Sequence, residues 1–514
     1  MTEVKVKGLD ANGSLAISFV RPPGGSVSLR LPSFYLSSST TGLYVMVSNT
    51  LPTKRLRILI VGGGLSGLAL ANGLLNAAHT APIEVLVFER DTDEYLKERG
   101  GYQIRLSHDG ISGLKQCLDD VTYAELKCRY GAGTAEAPTL MDPKTTQPVL
   151  RLSDYRIYAK ARAMSRRVLR AQLLQKVIAA NAIQFGKRVV AFDIVYANDG
   201  EHVKIFFEDG THETGDILIA ADGSKSFISE QVGLNNRTQV NGGFHLTSRG
   251  PVSDVVISKL PKVLQDDGAV GFYGSGVFGF ISIYRTADPG DITTVTDKPY
   301  CYDPHLYWAI SFPGQSPPRF NTSRSHDLKA AQRDHAKELM RSKGCHQALI
   351  DILDIGSVDT IRLTTEMLTS TQPPYNWRDA AQKRIGKNGG HRRVFLIGDS
   401  IHPMTPGRGM GANEALQDAA VLLPYLISLS RSAEHANPDE VSYLVEVANA
   451  HFELEMFPRA FGWVRVSNRS AEMDVSTREG KIFMYLLWLA MSLAGCFNMM
   501  LEAVGLKRSN EPVM

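Results

Sequence analysis

Short, continuous apolar runs alternate with helical patterns in the early part of this chain. The run at 58–61 (ILIV) meets a glycine turn, apolar residues then recur through 68–75, and a second run occupies 83–88. Unbroken apolar runs suit strands buried on both faces, and strand–helix–strand order predicts a parallel α/β unit. Further apolar runs end in Asp-Gly at 222–223 and in Gly-Asp at 398–399. Between about 235 and 374, β-rich stretches such as 271–280 and 307–312 alternate with turns, which predicts a mainly antiparallel sheet. A final run, 482–501, has 20 residues and no charge.

Bulk properties change this picture little. The chain has 514 residues, 43% hydrophobic and 21% charged, and a net charge of +3. That is a globular balance, and without a basic run no nucleic-acid partner is expected. The five cysteines are scattered and form no CxxC pair, so no metal site is expected and a reducing compartment fits. Residues 1–55 carry no clear signal and are taken as an extension of unknown role.

The segment RILIVGGGLSG at 57–67 places strand, glycine turn and helix in immediate succession. Gly62 permits the tight turn, Gly64 lets a pyrophosphate approach the backbone, and Gly67 lets the helix pack on the strand. The helix N-terminus offers free N–H groups to phosphate. Glu89 ends the second strand, where a carboxylate can accept hydrogen bonds from ribose hydroxyls and would repel a 2′-phosphate. This pattern establishes a dinucleotide site without choosing between FAD and NAD.

Three later segments choose FAD. MSRRVLRAQLL at 164–174 puts Arg166 at the start of a helix. DILIAADGSKS at 216–226 is a buried-type strand ending at Asp222. RVFLIGDSIHPMTPGRGMGAN at 393–413 is a strand, a rigid glycine-rich loop and a helix N-terminus. There Asp399 can bond a ribityl hydroxyl, and the amides of Gly409, Gly411 and Ala412 can face a flavin edge on which negative charge develops.

In this order the motifs resemble those of the group A flavoprotein monooxygenases, aromatic hydroxylases of the salicylate and para-hydroxybenzoate type, over about 56–423. The style is that of fungal secondary-metabolism enzymes. The resemblance implies FAD as cofactor, NAD(P)H and O₂ as co-substrates, and oxygen transfer through a flavin C4a-hydroperoxide. An aromatic polyketide is the implied substrate, with epoxidation of a prenyl or terpenoid chain, or a non-oxygenating flavin oxidoreductase, as alternatives. By the same resemblance Glu89 is the ribose ligand, Gly101 lies beside the flavin, Arg166 contacts FAD, and Asp222 serves FAD and the nicotinamide donor. Asp399 and Ala412 contact the ribityl chain and ring. Arg249 is the arginine that holds a phenolate, with Tyr284 as its tyrosine partner; His402 is read as structural. Ser229 stands where the family often has an arginine, which leaves nicotinamide docking open.

The expected architecture is α/β. A Rossmann-like FAD-binding domain (56–234 and 375–430) is interleaved with a β-sheet substrate domain (235–374), followed by C-terminal helices (431–514). As a helix, 482–501 would span roughly 30 Å, a bilayer core. Arg465, Arg469, Arg478 and Lys481 precede it, which predicts a cytoplasmic catalytic domain anchored by this segment. A greasy helix packed on the main domain is the other reading.

Overall fold

The computed structural model describes residues 4–7, 16–19, 55–92, 103–130, 137–151, 161–240, 243–284, 304–317 and 324–469, with single helical positions at 478, 482 and 486. It divides into two compact units, Met1–Leu51 and Pro52–Met514. The first contains an antiparallel hairpin, β1 (Val4–Lys7) and β2 (Ala16–Phe19).

The second unit opens with β3 (Leu56–Val61), α1 (Leu65–Ala77) and β4 (Ile83–Glu89). The two strands belong to a parallel sheet completed by β9 (Ile183–Phe185), β13 (Ile217–Ala220) and β21 (Val394–Leu396), in the order β21-β13-β3-β4-β9. Ile58, Leu59, Ile60 and Ile217 to Ala220 are fully buried, as continuous apolar runs require when both faces are covered. Gly62, Glu89, Asp222 and Asp399 therefore all lie at the carboxyl ends of parallel strands, the usual place for a ligand in a parallel α/β fold. The helix α2 (Arg166–Ala179) lies beside α1, where Asn72 Nδ2 donates to the Leu173 carbonyl at 2.8 Å.

A second sheet is built from β6 (Thr139–Met141), β7 (Pro148–Arg151), β15 (Gly243–Pro251), β16 (Ala269–Gly274), β17 (Val277–Tyr284), β18 (His305–Pro313) and β19 (Arg362–Thr364). Among the described residues it has seven strands, in the order β19-β15-β18-β17-β16-β6-β7. It is antiparallel except where β6 joins β16. It recruits two strands from the chain before residue 235; β6 and β7 are pinned there by Asp267, which accepts from Thr139 Oγ1 (2.7 Å) and Arg151 Nε (3.0 Å). Smaller antiparallel pairings complete the set: β5 (Gln103–Leu106) with β8 (Arg162–Ser165), and β14 (Arg237–Val240) with β20 (Met367–Ser370). A further small sheet joins β10 (Val189–Ala197), β11 (Gly200–Phe207) and β12 (His212–Gly215).

Period-2 patterning gives the seven-stranded sheet two unlike faces. Phe244, Leu246, Trp308, Ile310 and Phe312 join one apolar core, capped by α3 (Ser325–Ser342). His245, Thr247 and Arg249 of β15 and Tyr307 of β18 lie on the other face, only partly buried.

Two long helices close the parallel sheet: α4 (Gly411–Ala433) and α5 (Pro438–Arg469). Phe452, Met456, Phe457 and Phe461 of α5 are buried in the same core as β3. A fully enclosed Arg378 ties α5 to the sheet, donating from Nε to Glu453 of α5 at 2.9 Å and from Nη2 to the Val394 carbonyl at 3.0 Å. Among the described residues no helix is long and apolar enough to cross a membrane. The anchor segment expected at 482–501 lies outside the described residues except for Ile482 and Leu486, both exposed.

Candidate active site

The glycine turn after β3 is built by backbone geometry. Gly62 has φ +112°, and a Cβ there would lie 2.2 Å from the Ala221 carbonyl oxygen. A Cβ on Gly67 would meet the Gly62 carbonyl oxygen at 2.2 Å, so α1 sits as close to the turn as glycine allows. Gly64 differs: a Cβ there has nothing nearer than 4.0 Å, so the α1 N-terminus is open to a ligand.

Glu89 is buried beside this turn. Its Oε2 accepts from Gly63 N (2.9 Å) and Arg170 Nη2 (2.9 Å), and its Oε1 accepts from Asp91 N (2.9 Å). A carboxylate offers about four acceptor sites, so one is left for a hydroxyl. Arg170 belongs to α2 and also donates from Nε to the Gly63 carbonyl at 2.6 Å. It lies within the 164–174 motif, but the sequence reading singles out only Arg166; its one signal is a position one helical turn after that residue.

At the Asp-Gly turn, Asp222 Oδ2 accepts from Phe227 N (3.0 Å), while its buried Oδ1 has no partner. Burial pushes this carboxyl above its usual range, against hydrogen bonds from Ser226 and from backbone amides. Arg237 clasps the turn, donating to the carbonyls of Ser224 (3.2 Å) and Ser226 (2.8 Å). Ser229 is fully buried, so no guanidinium reaches outward from that position.

The loop after β21 turns at Gly398, whose φ is +61°. Asp399 is exposed, yet it is enclosed enough that burial raises its carboxyl, opposed by the charges of His402 and Arg166. Arg166 and Asp399, from two motifs, are thus electrostatic neighbours. Under the loop lies a buried ionic chain. His402 Nε2 is 2.6 Å from Asp418 Oδ2, which also accepts from Gly398 N at 2.7 Å. Arg459 of α5 donates to Asp418 Oδ1 at 2.6 Å and pairs with Glu414. Burial alone would lower the His402 pKa, but Asp418 overcomes it and the net shift is upward.

Asn413 closes the loop: Oδ1 accepts from Ser107 N (2.8 Å), and Nδ2 donates to the carbonyls of Arg105 (2.9 Å) and Gly409 (3.2 Å). It fixes the α4 N-terminus to the end of β5. Gly411 and Ala412 are half-buried in the first turn of α4, and a Cβ on Gly411 finds nothing nearer than 3.8 Å, the nearest atoms being Asp399 Oδ1 and Met404 Cγ. Gly101 lies outside the described residues.

Across from these motifs, Arg249 is half-buried on the partly open face of the seven-stranded sheet. Among the described residues its guanidinium has no hydrogen-bonded or ion-paired partner. Burial lowers its pKa, and Arg167 and Arg362 lower it further. Tyr284 is buried, its hydroxyl donates to the Arg129 carbonyl at 2.8 Å, and burial pushes it up to about 12.

The set fits FAD. It has two helix N-termini unobstructed by side chains, an acidic strand end beside the first, an orphaned buried carboxylate oxygen on Asp222 and an accessible carboxylate on Asp399. A family model described as an FAD binding domain matches residues 334–440. A dual O-methyltransferase/FAD-dependent monooxygenase of Phaeosphaeria nodorum is 25% identical over 454 residues, covering 80% of this chain. The chain spans less than half, 45%, of that relative's length. An FAD-dependent monooxygenase of Trichoderma harzianum is 26% identical over 434 residues, covering 80% of this chain and 92% of its own. Among solved structures, a protein assigned as an FAD-containing monooxygenase from Photorhabdus luminescens superposes with TM-score 0.61 at 25% identity, covering 81% of this chain and 97% of its own. The chain is thus similar to FAD-dependent monooxygenases in sequence and in fold, and the matched domain agrees with FAD as the cofactor that the site fits.

Proposed function

We propose that this chain uses NAD(P)H and O₂ to place one oxygen atom on an aromatic small molecule, a phenol of the polyketide kind, held between the flavin motifs and the open sheet face. One observation carries the reading: Arg249 is a half-buried guanidinium without a partner among the described residues, on the sheet face that turns away from the apolar core. An unpaired cation lowers the pKa of a phenol bound beside it, and the phenolate ring is the better nucleophile.

FAD, when bound, supplies electron transfer and oxygen activation. The chain's own groups bind and orient it. The α1 N-terminus at Gly64 takes the pyrophosphate, Glu89 the ribose, and Asp399 the ribityl chain. Arg166 and Asp222 make further polar contacts, and Gly101 belongs beside the ring. The amides of Gly411 and Ala412, at the positive end of α4, favour negative charge on the ring. Tyr284 stays neutral and bonded to a backbone carbonyl, so it forms part of the wall and does not move protons.

The test is to purify the protein, record its flavin spectrum, and follow NAD(P)H oxidation with phenols under ¹⁸O₂. One labelled oxygen in a hydroxylated product is expected. Absence of bound flavin removes the reading. Hydrogen peroxide alone makes the chain an oxidase, and a labelled epoxide on a terpenoid moves it to epoxidation.

A further inference from the structure

Arg249 does not stand alone. In β15 it lies two residues from Thr247, which is paired directly with Arg362 of β19. Thr360 faces Arg249 itself, its Oγ1 3.4 Å from Arg249 N. Arg249 and Arg362 are therefore diagonal neighbours on one face, their Cβ atoms about 7–8 Å apart. The third member comes from below. Arg249 is opposite Tyr307, Tyr307 is opposite Ser282, and Tyr284 follows on the same face. Tyr284 lies against Ser165, the last residue of β8, and Arg166 and Arg167 come next. The first turn of α2 thus abuts this end of the sheet, and Arg167 is an electrostatic neighbour of Arg249.

Three guanidinia converge here, and among the described residues none of the three is bonded to a carboxylate. Buried or half-buried cations are ordinarily paired, and unpaired guanidinia held together repel one another. One phenolate carries one charge and needs one partner. Three guanidinia in a group match an oxyanion with several acceptor oxygens, which arginine forks bind in bidentate fashion. The position suits a ligand that enters and leaves: Arg362 is exposed on an edge strand, while Arg166, next to Arg167, is an electrostatic neighbour of Asp399.

We propose that Arg167, Arg249 and Arg362 form an oxyanion subsite at the mouth of the active site, which receives a phosphate of the reduced nicotinamide donor or a carboxylate of the substrate. It rests on the oxygenase reading only for what the bound group belongs to. It also supplies a docking point that Ser229 cannot provide.

The experiment uses the FAD-loaded full chain and the variants Arg167→Ala, Arg362→Ala and Arg362→Lys. Inorganic pyrophosphate and salicylate are titrated against the flavin absorbance, and anaerobic flavin reduction is followed against NADPH and NADH concentration. Both alanine variants should weaken pyrophosphate and NADPH at least tenfold, with Arg362→Lys, which keeps the charge but not the fork, recovering only part of the loss. A tenfold loss confined to salicylate assigns the subsite to the substrate's carboxylate. Wild-type affinity for all four ligands in both alanine variants overturns the proposal. Pyrophosphate binding that depends on the arginines in a protein that transfers no oxygen removes the oxygenase reading and keeps the subsite.

Discussion

Arg459→Met is the sharpest test of the ionic chain beneath the flavin loop. Methionine keeps much of the length and the apolar stem of arginine but removes its charge. The change strips a 2.6 Å bond from Asp418 and the pairing with Glu414, whose side chains are 0% and 1% exposed. Two enclosed carboxylates then face one imidazolium. Breaking a buried pair costs about 3–5 kcal/mol. Arg459 is itself 24% exposed and His402 remains, so the lower end applies, about 3 kcal/mol, or roughly a hundredfold in the folding equilibrium.

The pH dependence has a definite sign. Glu414 is already raised in the folded protein, by burial first, with Arg459 opposing. Without Arg459 it rises further, so the folded state binds more protons than the unfolded one and stability falls as pH rises. His402 runs the same way: its folded pKa is raised, so its contribution is complete below about pH 6.5 and fades as pH climbs through the folded value. Asp418 is depressed, burial opposing and His402 and Arg459 prevailing, so its contribution is lost only as pH falls below about 3.9. The deficit of Arg459→Met should therefore grow from about pH 4.3, where an unfolded glutamate ionises, up to neutral pH. Guanidinium unfolding followed by flavin fluorescence at both ends of that range measures it. A deficit below about 1 kcal/mol at neutral pH, or one that does not change with pH, refutes the argument.

Glu89→Ala removes a carboxylate that accepts from Gly63 and Arg170, and it should weaken FAD retention at least about tenfold; equal flavin occupancy after dialysis would disprove the ribose role. Gly67→Ala puts a methyl 2.2 Å from the Gly62 carbonyl oxygen and should destabilise the fold by about 1–3 kcal/mol, read as a lower melting temperature with flavin release; an unshifted transition contradicts the close packing. Arg249→Ala should move the pH profile of kcat for a phenol upward, because the bound phenol then ionises without a neighbouring cation. An unmoved profile would mean that Arg249 does not set the ionisation.

Local features of the site are legible in the sequence wherever one segment does the work alone. The turn at 62–67, the strand ends at Glu89, Asp222 and Asp399, and the helix start at Gly411 are each fixed by the order of apolar, glycine and acidic residues in a dozen positions. What stays hidden comes from pairing across the chain. Arg170 reaches Glu89 and Gly63 from 81 and 107 residues away, and Asn413 reaches Ser107 from 306. The strands β6 and β7 are too short to announce themselves and are placed by Asp267. No periodicity encodes such partners, because each is an ordinary polar residue until the fold supplies the other half.

The helix α5 does more in the fold than its sequence announces. In sequence it is a helix with no assigned chemistry. In the fold it supplies Arg459 to Asp418 and Glu453 to Arg378, so the loop carrying Asp399 and the strand leading to it each rest on a charge from that helix. An ionic chain is a costly support, since apolar residues of similar volume often stabilise a core better than a buried pair does. Its advantage here is directional. Asp418 accepts from Gly398 N while held by His402 and Arg459, which fixes the backbone one residue before Asp399. A triple variant that combines Asp418→Leu, Arg459→Met and His402→Phe would separate the two roles. It should keep or gain stability relative to Arg459→Met alone, yet hold FAD more weakly than wild type, because packing replaces the charges but nothing replaces the bond to Gly398. Wild-type FAD affinity in the triple variant would show that the loop holds its shape without that bond.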